Sequence, residues 1–180
     1  DQANAVYTVT INALDNSSVT AANLNRINTA TTGSVSLTNV TAIGGSNLAD
    51  LTTLNTQRAG FSNITGVAGI TLTNDGGGGD GNVDFGTLET IVNNYQARNA
   101  SVAFSFQAGD LIDIDTSDEL TAYLADIASG ALVLSDQDVT VVSTVTLSVA
   151  NAKSIAADTT GTVTATITSG TRVSKLTELR

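Results

Sequence analysis

Hydrophobic positions along the chain fall into two alternating kinds of block. In the first kind they recur at helical spacing: Leu24, Ile27 and Ala30, then Leu48, Leu51 and Leu54, then Leu88, Ile91, Val92 and Tyr95. In the second they alternate with polar residues: Val35 and Leu37, Ile70 and Leu72, and Val102, Phe104 and Phe106. Side chains return to one face about every 3.6 residues on a helix and about every 2 on a strand, so the blocks predict amphipathic helices and half-buried strands in turn. The helices are expected over 18–27, 46–54, 85–95 and 115–127, and the strands over 34–43, 70–72, 101–106, 131–134 and 139–145. Local punctuation supports these bounds. Ser18 suits the N-cap of the first helix, and Gly33 of Thr31-Thr-Gly33 is expected to end it in the left-handed conformation. Gly44-Gly45 is expected to break the first strand, while Asp118 and Glu119 suit the positive end of the fourth helix.

The blocks also repeat. The stretch from Val19 to Val35 returns from Leu147 to Val163, so that Ile27, Gly33 and Val35 map to Ile155, Gly161 and Val163 at an offset of 128. A weaker copy lies at half that offset, where Val19, Leu24 and Ile27 land on Val83, Leu88 and Ile91. An alternating pair leads into each copy: Val9 and Ile11, Ile70 and Leu72, Leu132 and Leu134. Alternating helices and strands imply a parallel sheet with helical crossovers, and repetition implies neighbouring units that share a core. The fold class expected is therefore α/β, built of repetitive helix-strand units with a parallel sheet in a solenoid-like stack. One repeat-built domain would cover 1–180, with units of approximately 9–72, 73–134 and 135–180, the last incomplete and opening a second half-unit over 169–180. Each helix-strand pair would form one coil, the strands stacking as a single ribbon covered by helices. A β-sandwich adhesin or filament module is the competing architecture, and it requires the stretches near residues 19, 47, 86 and 117 to be loops.

The first unit reads Leu24-Asn-Arg-Ile-Asn-Thr-Ala-Thr-Thr-Gly-Ser-Val35, Val40-Thr-Ala-Ile-Gly-Gly45, Leu48-Ala-Asp-Leu51, Ile64-Thr-Gly66 and Ile70-Thr-Leu-Thr-Asn74. This resembles the tandem units of very large surface-associated or secreted proteins of marine cyanobacteria and other bacteria. The third unit keeps Thr159-Thr-Gly-Thr-Val163, whereas the second has Gln96-Ala-Arg-Asn-Ala-Ser-Val102 in place of that turn and extra glycines at 76–79. The resemblance implies an extracellular array or adhesin-like protein and carries over no catalytic residue.

Composition narrows the chemistry. The 180 residues include no His, Cys, Met, Pro or Trp, and 17 acidic against 7 basic residues give a formal net charge of -10. Without Cys or His, thiol nucleophiles, disulfides and imidazole bases are excluded. A basic footprint for nucleic acid is missing, the charge opposes anionic membranes, and no apolar run is long enough to insert in a bilayer. The chain is expected to be a processed piece or excised segment of a longer protein, because Asp1 is not a translational start.

Two acidic segments are the candidate sites. In Asn74-Asp-Gly-Gly-Gly-Gly-Asp-Gly-Asn-Val-Asp84, the residues Asp75, Asp80, Asn82 and Asp84 offer oxygen ligands on a sharply turning backbone, the requirement of calcium. A solvated insertion loop is the preferred alternative, since neither an EF-hand nor a Gly-Gly-x-Gly-x-Asp array is completed. In Asp110-Leu-Ile-Asp-Ile-Asp115, the carboxylates of Asp113 and Asp115 share a strand face, where they could bind a cation or act as acid and base. A solvated strand end leading into a capped helix is the alternative there. Ser-Lys pairs at Lys153–Ser154 and Ser174–Lys175 read as exposed helix positions, and the sequons at Asn16, Asn39, Asn63 and Asn99 as products of composition.

The expected function is a non-catalytic extracellular structural protein: a repeat segment or subunit of a surface layer, sheath, fibre or adhesin that self-associates. The alternative is a calcium-dependent glycan or cell-surface binding module, and a carboxylate hydrolase at Asp113 and Asp115 comes third. Copies of the chain are the expected partners, with surface glycans the alternative. Calcium is the one candidate cofactor.

Overall fold

The computed structural model describes residues 8–11, 18–63, 66–73 and 82–167. Five α-helices are described: α1 (Ala21–Ala30), α2 (Leu48–Thr56), α3 (Phe85–Gln96), α4 (Ser117–Ser129) and α5 (Val149–Asp158). The strands between them are short: β1 (Val9–Thr10), β2 (Ser18–Val19), β3 (Val35–Ser36), β4 (Ala42–Ser46), β5 (Phe61–Ser62), β6 (Gly69–Leu72) and β7 (Asn82–Asp84). They continue as β8 (Ala103–Phe106), β9 (Leu111–Ile114), β10 (Leu132–Val133), β11 (Asp138–Val141), β12 (Thr146–Leu147), β13 (Val163–Thr164) and β14 (Thr166–Ile167). The chain divides into two compact units, one of 1–75 with 91–105, the other of 76–90 with 106–180.

In the first unit, β1, β3 and β5 form one parallel sheet, and β2, β4 and β6 pair in parallel in another, with β8 beside β6. Strands therefore pair two apart in sequence, and the chain completes a coil before it returns to a sheet. In the second unit β7, β9, β11 and β13 run parallel, and β12 pairs with β14. The fold is α/β with parallel strands, as the alternation of blocks requires. The stretches near 19, 47, 86 and 117 lead into α1 to α4 rather than loops, which removes the β-sandwich.

The single ribbon is corrected. A coil holds two short strands in different sheets, joined by a tight corner. The stretch 34–43 alternates throughout, yet it splits at Leu37–Val40, where the Val40 amide bonds the Leu37 carbonyl at 3.0 Å. The same i to i+3 bond closes 107–110 (3.3 Å) and 142–145 (2.9 Å). Each corner buries its last residue: Val40, Asp110 and Val145. Gly44 and Gly45 do not break β4 but lie inside it. Gly45 has φ +57°, and the pairing with β6 is irregular between Ile43 and Ser46.

The repeat survives in atomic detail. α1, α3 and α5 begin at Ala21, Phe85 and Val149, 64 residues apart each time. Their caps keep that spacing. The side chains of Thr20, Asp84 and Ser148 accept hydrogen bonds from the amides of Asn23 (3.2 Å), Thr87 (2.6 Å) and Asn151 (3.1 Å). Thr20, not Ser18, is thus the first N-cap, and Val19 belongs to β2. The strand leading into α5 is β11, with Val139 and Val141 buried, rather than the Leu132–Leu134 pair.

Gly33 does not adopt the left-handed conformation. α1 ends at Thr31 in extended backbone (φ −134°, ψ 149°), and α5 ends at Thr159 the same way (φ −130°, ψ 148°). Each threonine Oγ1 then accepts the amide of the glycine two residues on, at 3.0 Å. The second repeat keeps this turn without the motif, because Asn99 Oδ1 accepts the Ser101 amide at 3.0 Å. Hydroxyl and amide oxygens close the same local ring, so the exchange preserves geometry. The second polar atom is used as well: Asn99 Nδ2 donates to the Val67 carbonyl (2.8 Å) and Thr159 Oγ1 to that of Gln137 (2.6 Å), just ahead of β6 and β11.

The core is aliphatic with a few rings. In the first unit Leu24, Val35, Ile43, Leu51, Leu54 and Ile70 are fully buried, and Tyr95 meets Phe104 edge-to-face at 6.1 Å. In the second, Leu88, Ile112, Val139, Leu147 and Ile155 surround Phe85 and Tyr123, whose rings meet edge-to-face at 5.4 Å.

Candidate functional site

The candidate ligands Asp75 and Asp80 lie outside the described residues, as do Ser174 and Lys175. The other four are placed. β7 pairs with β9 so that Asp84 stands opposite Asp113, and the exposed Asn82 donates from Nδ2 to Asp113 Oδ2 at 3.1 Å. Asp84 Oδ1 is engaged as the N-cap of α3. Asp115 lies just past β9, exposed, and its amide donates to Glu119 Oε2 at 2.8 Å. Thr116 Oγ1 in turn accepts the Glu119 amide at 3.1 Å, so the two residues close the start of α4 reciprocally. Partial desolvation, and then the charges of Asp113, Glu119 and Asp84, hold the Asp115 carboxyl above the usual carboxylate range.

The structure thus brings Asp84, Asp113 and Asp115 into one neighbourhood and adds Glu119. Several of their oxygens already serve a cap, a bond to Asn82 or the α4 entry. Among the described residues no group of three carboxylates is placed to hold a metal ion. Sequence reasoning read Asp84 as a ligand because an Asp beside glycines suggests calcium. The signal for its capping role was the 64-residue equivalence with Thr20 and Ser148. On α5, Lys153 and Ser154 are exposed, and Ser154 Oγ donates to the Ala150 carbonyl at 3.2 Å, the back-bond of an ordinary surface helix.

Two buried polar positions escaped the sequence reading. Gln137 is fully buried. Its Oε1 accepts the Ser135 amide (2.6 Å) and its Nε2 donates to the Gln107 carbonyl (3.0 Å), which fixes the entry to β11. Asp126 on α4 is half-buried with Oδ2 shielded and unpartnered. Burial, then the charge of Glu89, pushes its carboxyl up to about 6.

A raised acid favours the folded state only while protonated. The contribution of Asp126 is complete below about pH 4, its unfolded value, and is lost as pH rises through about 6. Discounted for its solvent exposure, the loss is about 1 kcal/mol. Urea unfolding at pH 4.5 and pH 7.5 is expected to show Asp126→Asn gaining stability over the parent only at the higher pH. An equal effect at both pH values would contradict this.

No family model matches the chain, and neither a curated protein nor a solved structure does. No helix among the described residues is long and apolar enough to cross a membrane.

Proposed function

We propose that the chain is a non-catalytic structural segment of an extracellular layer, sheath, fibre or adhesin, acting through stacked repeat coils. The observation that carries this reading is the recurrence every 64 residues of one capped helix entered from one strand pair. Its side-chain oxygens are spent on holding that form: Thr20, Asp84 and Ser148 as caps, Thr31, Asn99 and Thr159 as turns. Parallel strands that pair two apart suit a solenoid, in which each coil borrows its core from the next. The resemblance to tandem units of large bacterial surface proteins supports an extracellular place, and the net charge of -10 supports a hydrated, cation-rich surface.

A calcium-dependent glycan or cell-surface module is the second reading, favoured only by the nearness of Asp84, Asp113, Asp115 and Glu119. One experiment addresses both. Immunogold electron micrographs of the native material, with calcium and with a chelator, are expected to label fibres or a layer that persist in either condition. Labelled material that leaves the cell surface on chelation would favour the binding module. Label confined to the cell interior would overturn both.

A further inference from the structure

Equivalent residues of the repeats differ in one respect. Ile91 and Ile155 are 1% and 0% exposed, whereas Ile27, which holds the same helix position in α1, is only half-buried. α1 bonds to α2 through Asn25 Nδ2, on the Asp50 carbonyl (3.0 Å), and through Asn28 Nδ2, on Gln57 Oε1 (3.2 Å). Val19, Asn23, Arg26, Ile27 and Ala30 line a separate, open depression of about 480 Å³. In α5, by contrast, the Ile155 position is sealed, and that helix packs on α4.

The second unit shows a reciprocal gap. Val163 and Ile167 are half-buried, while their equivalents Val35, Ile43 and Ile112 are fully covered. They line a groove of about 360 Å³ with Ala152, Ala156, Gly161 and Ala165. Where α1 carries Leu24 and Asn28, α5 carries Ala152 and Ala156, 128 residues later. The hollow is thus made by small side chains, and no charged residue lines it.

We propose that these two surfaces are a joint: a second copy of this chain seats the Val163–Ile167 groove of its second unit on the Val19–Ile27–Ala30 face of α1. The argument is continuity with packing already present in the chain. Each half-covered residue has an equivalent, in another copy of the repeat, that is buried against repeat structure, so more repeat structure is the surface it fits. A protruding Ile27 matches a hollow floored by alanines, and burying uncharged walls incurs no ionic desolvation. Arg26, exposed at the margin, keeps its guanidinium in water while its stem covers apolar surface. The two surfaces differ, so the contact is heterologous and propagates into rings or filaments. The inference rests on the structural reading above and names the partner of its repeats. Like net charges on the copies oppose the contact at a distance, so association should strengthen with salt.

Sedimentation velocity from micromolar to submillimolar chain, at low and high salt, tests the joint. The parent is expected to form a concentration-dependent series that grows with salt. Ile27→Asp and Ala30→Glu should each weaken association about tenfold or more; Ala30 is exposed, so its variant folds even if the first does not. Ile167→Asp should do the same from the other surface. An equimolar mixture of Ile27→Asp and Ile167→Asp, each with one intact surface, should give dimers and nothing larger. A parent that stays monomeric, or association untouched by all three substitutions, would overturn the joint. Labelled fibres alongside a monomeric chain would sink this inference alone, whereas self-association of a chain found only inside cells would sink the surface role alone.

Discussion

Tyr123→Ala is expected to destabilise the protein by about 3–5 kcal/mol, while Tyr123→Phe should be neutral or stabilising by up to about 1 kcal/mol. The ring is fully buried and meets Phe85 edge-to-face at 5.4 Å, so truncation removes apolar burial, an aromatic contact and the filler of a close-packed site. The hydroxyl contributes none of this. It is buried without a hydrogen-bond partner, and desolvation, reinforced by Asp158, holds the phenol well above its ordinary range. Removing it relieves an unmet polar group at almost constant shape. Urea denaturation of both variants decides the matter. A Phe variant as unstable as the Ala variant would mean that the oxygen, and not the ring, holds the site.

The second large effect is expected at Gly161. A Cβ there would run into the carbonyl carbon and oxygen of Gln137 and into the Asp136 carbonyl, 2.8 Å away. These are backbone atoms of a strand entry tied down by Gln137, so they cannot swing aside as a side chain would. Gly161→Ala should cost about 2–3 kcal/mol, the usual penalty for overfilling a tight site. The glycine serves close approach, not a left-handed turn, because its φ is not among the positive ones. Gly130→Ala provides the contrast. Its Cβ meets nothing within 4 Å, but its φ of +78° makes it the left-handed cap of α4. Its cost should be conformational and smaller, about 1 kcal/mol. Thermal melts that rank Gly130→Ala below Gly161→Ala in stability would contradict the distinction.

The helices were legible because each carries its own evidence. The stripe Leu88, Ile91, Val92 and Tyr95 needs no partner to be recognised, and α3 spans Phe85–Gln96 against an expected 85–95. Strand limits were less legible. The alternation through 34–43 runs on across a corner, since a residue pointing inward at a bend, such as Val40, looks like one pointing inward along a strand. Pairing two apart, β1 with β3 and β2 with β4, depends on contacts between coils that no local pattern encodes. At the acidic segments, composition signalled charge but not its employment. Asp84 and Glu119 hold helix starts, and only their alignment with Thr20 and Thr116 reveals it. Gln137 was invisible for the same reason, because a buried amide and a solvated one are identical in sequence.

The turn at Thr31, Asn99 and Thr159 bears on how kindred segments are to be found. What selection must preserve at that site is an acceptor within reach of an amide two residues on, whichever side chain supplies it. A search profile that scores the letters Thr-Thr-Gly passes over the middle copy. One that admits Asn, Asp or Ser at the same offset from the helix cap retains all three, and would reach diverged cousins that letter-matching leaves behind.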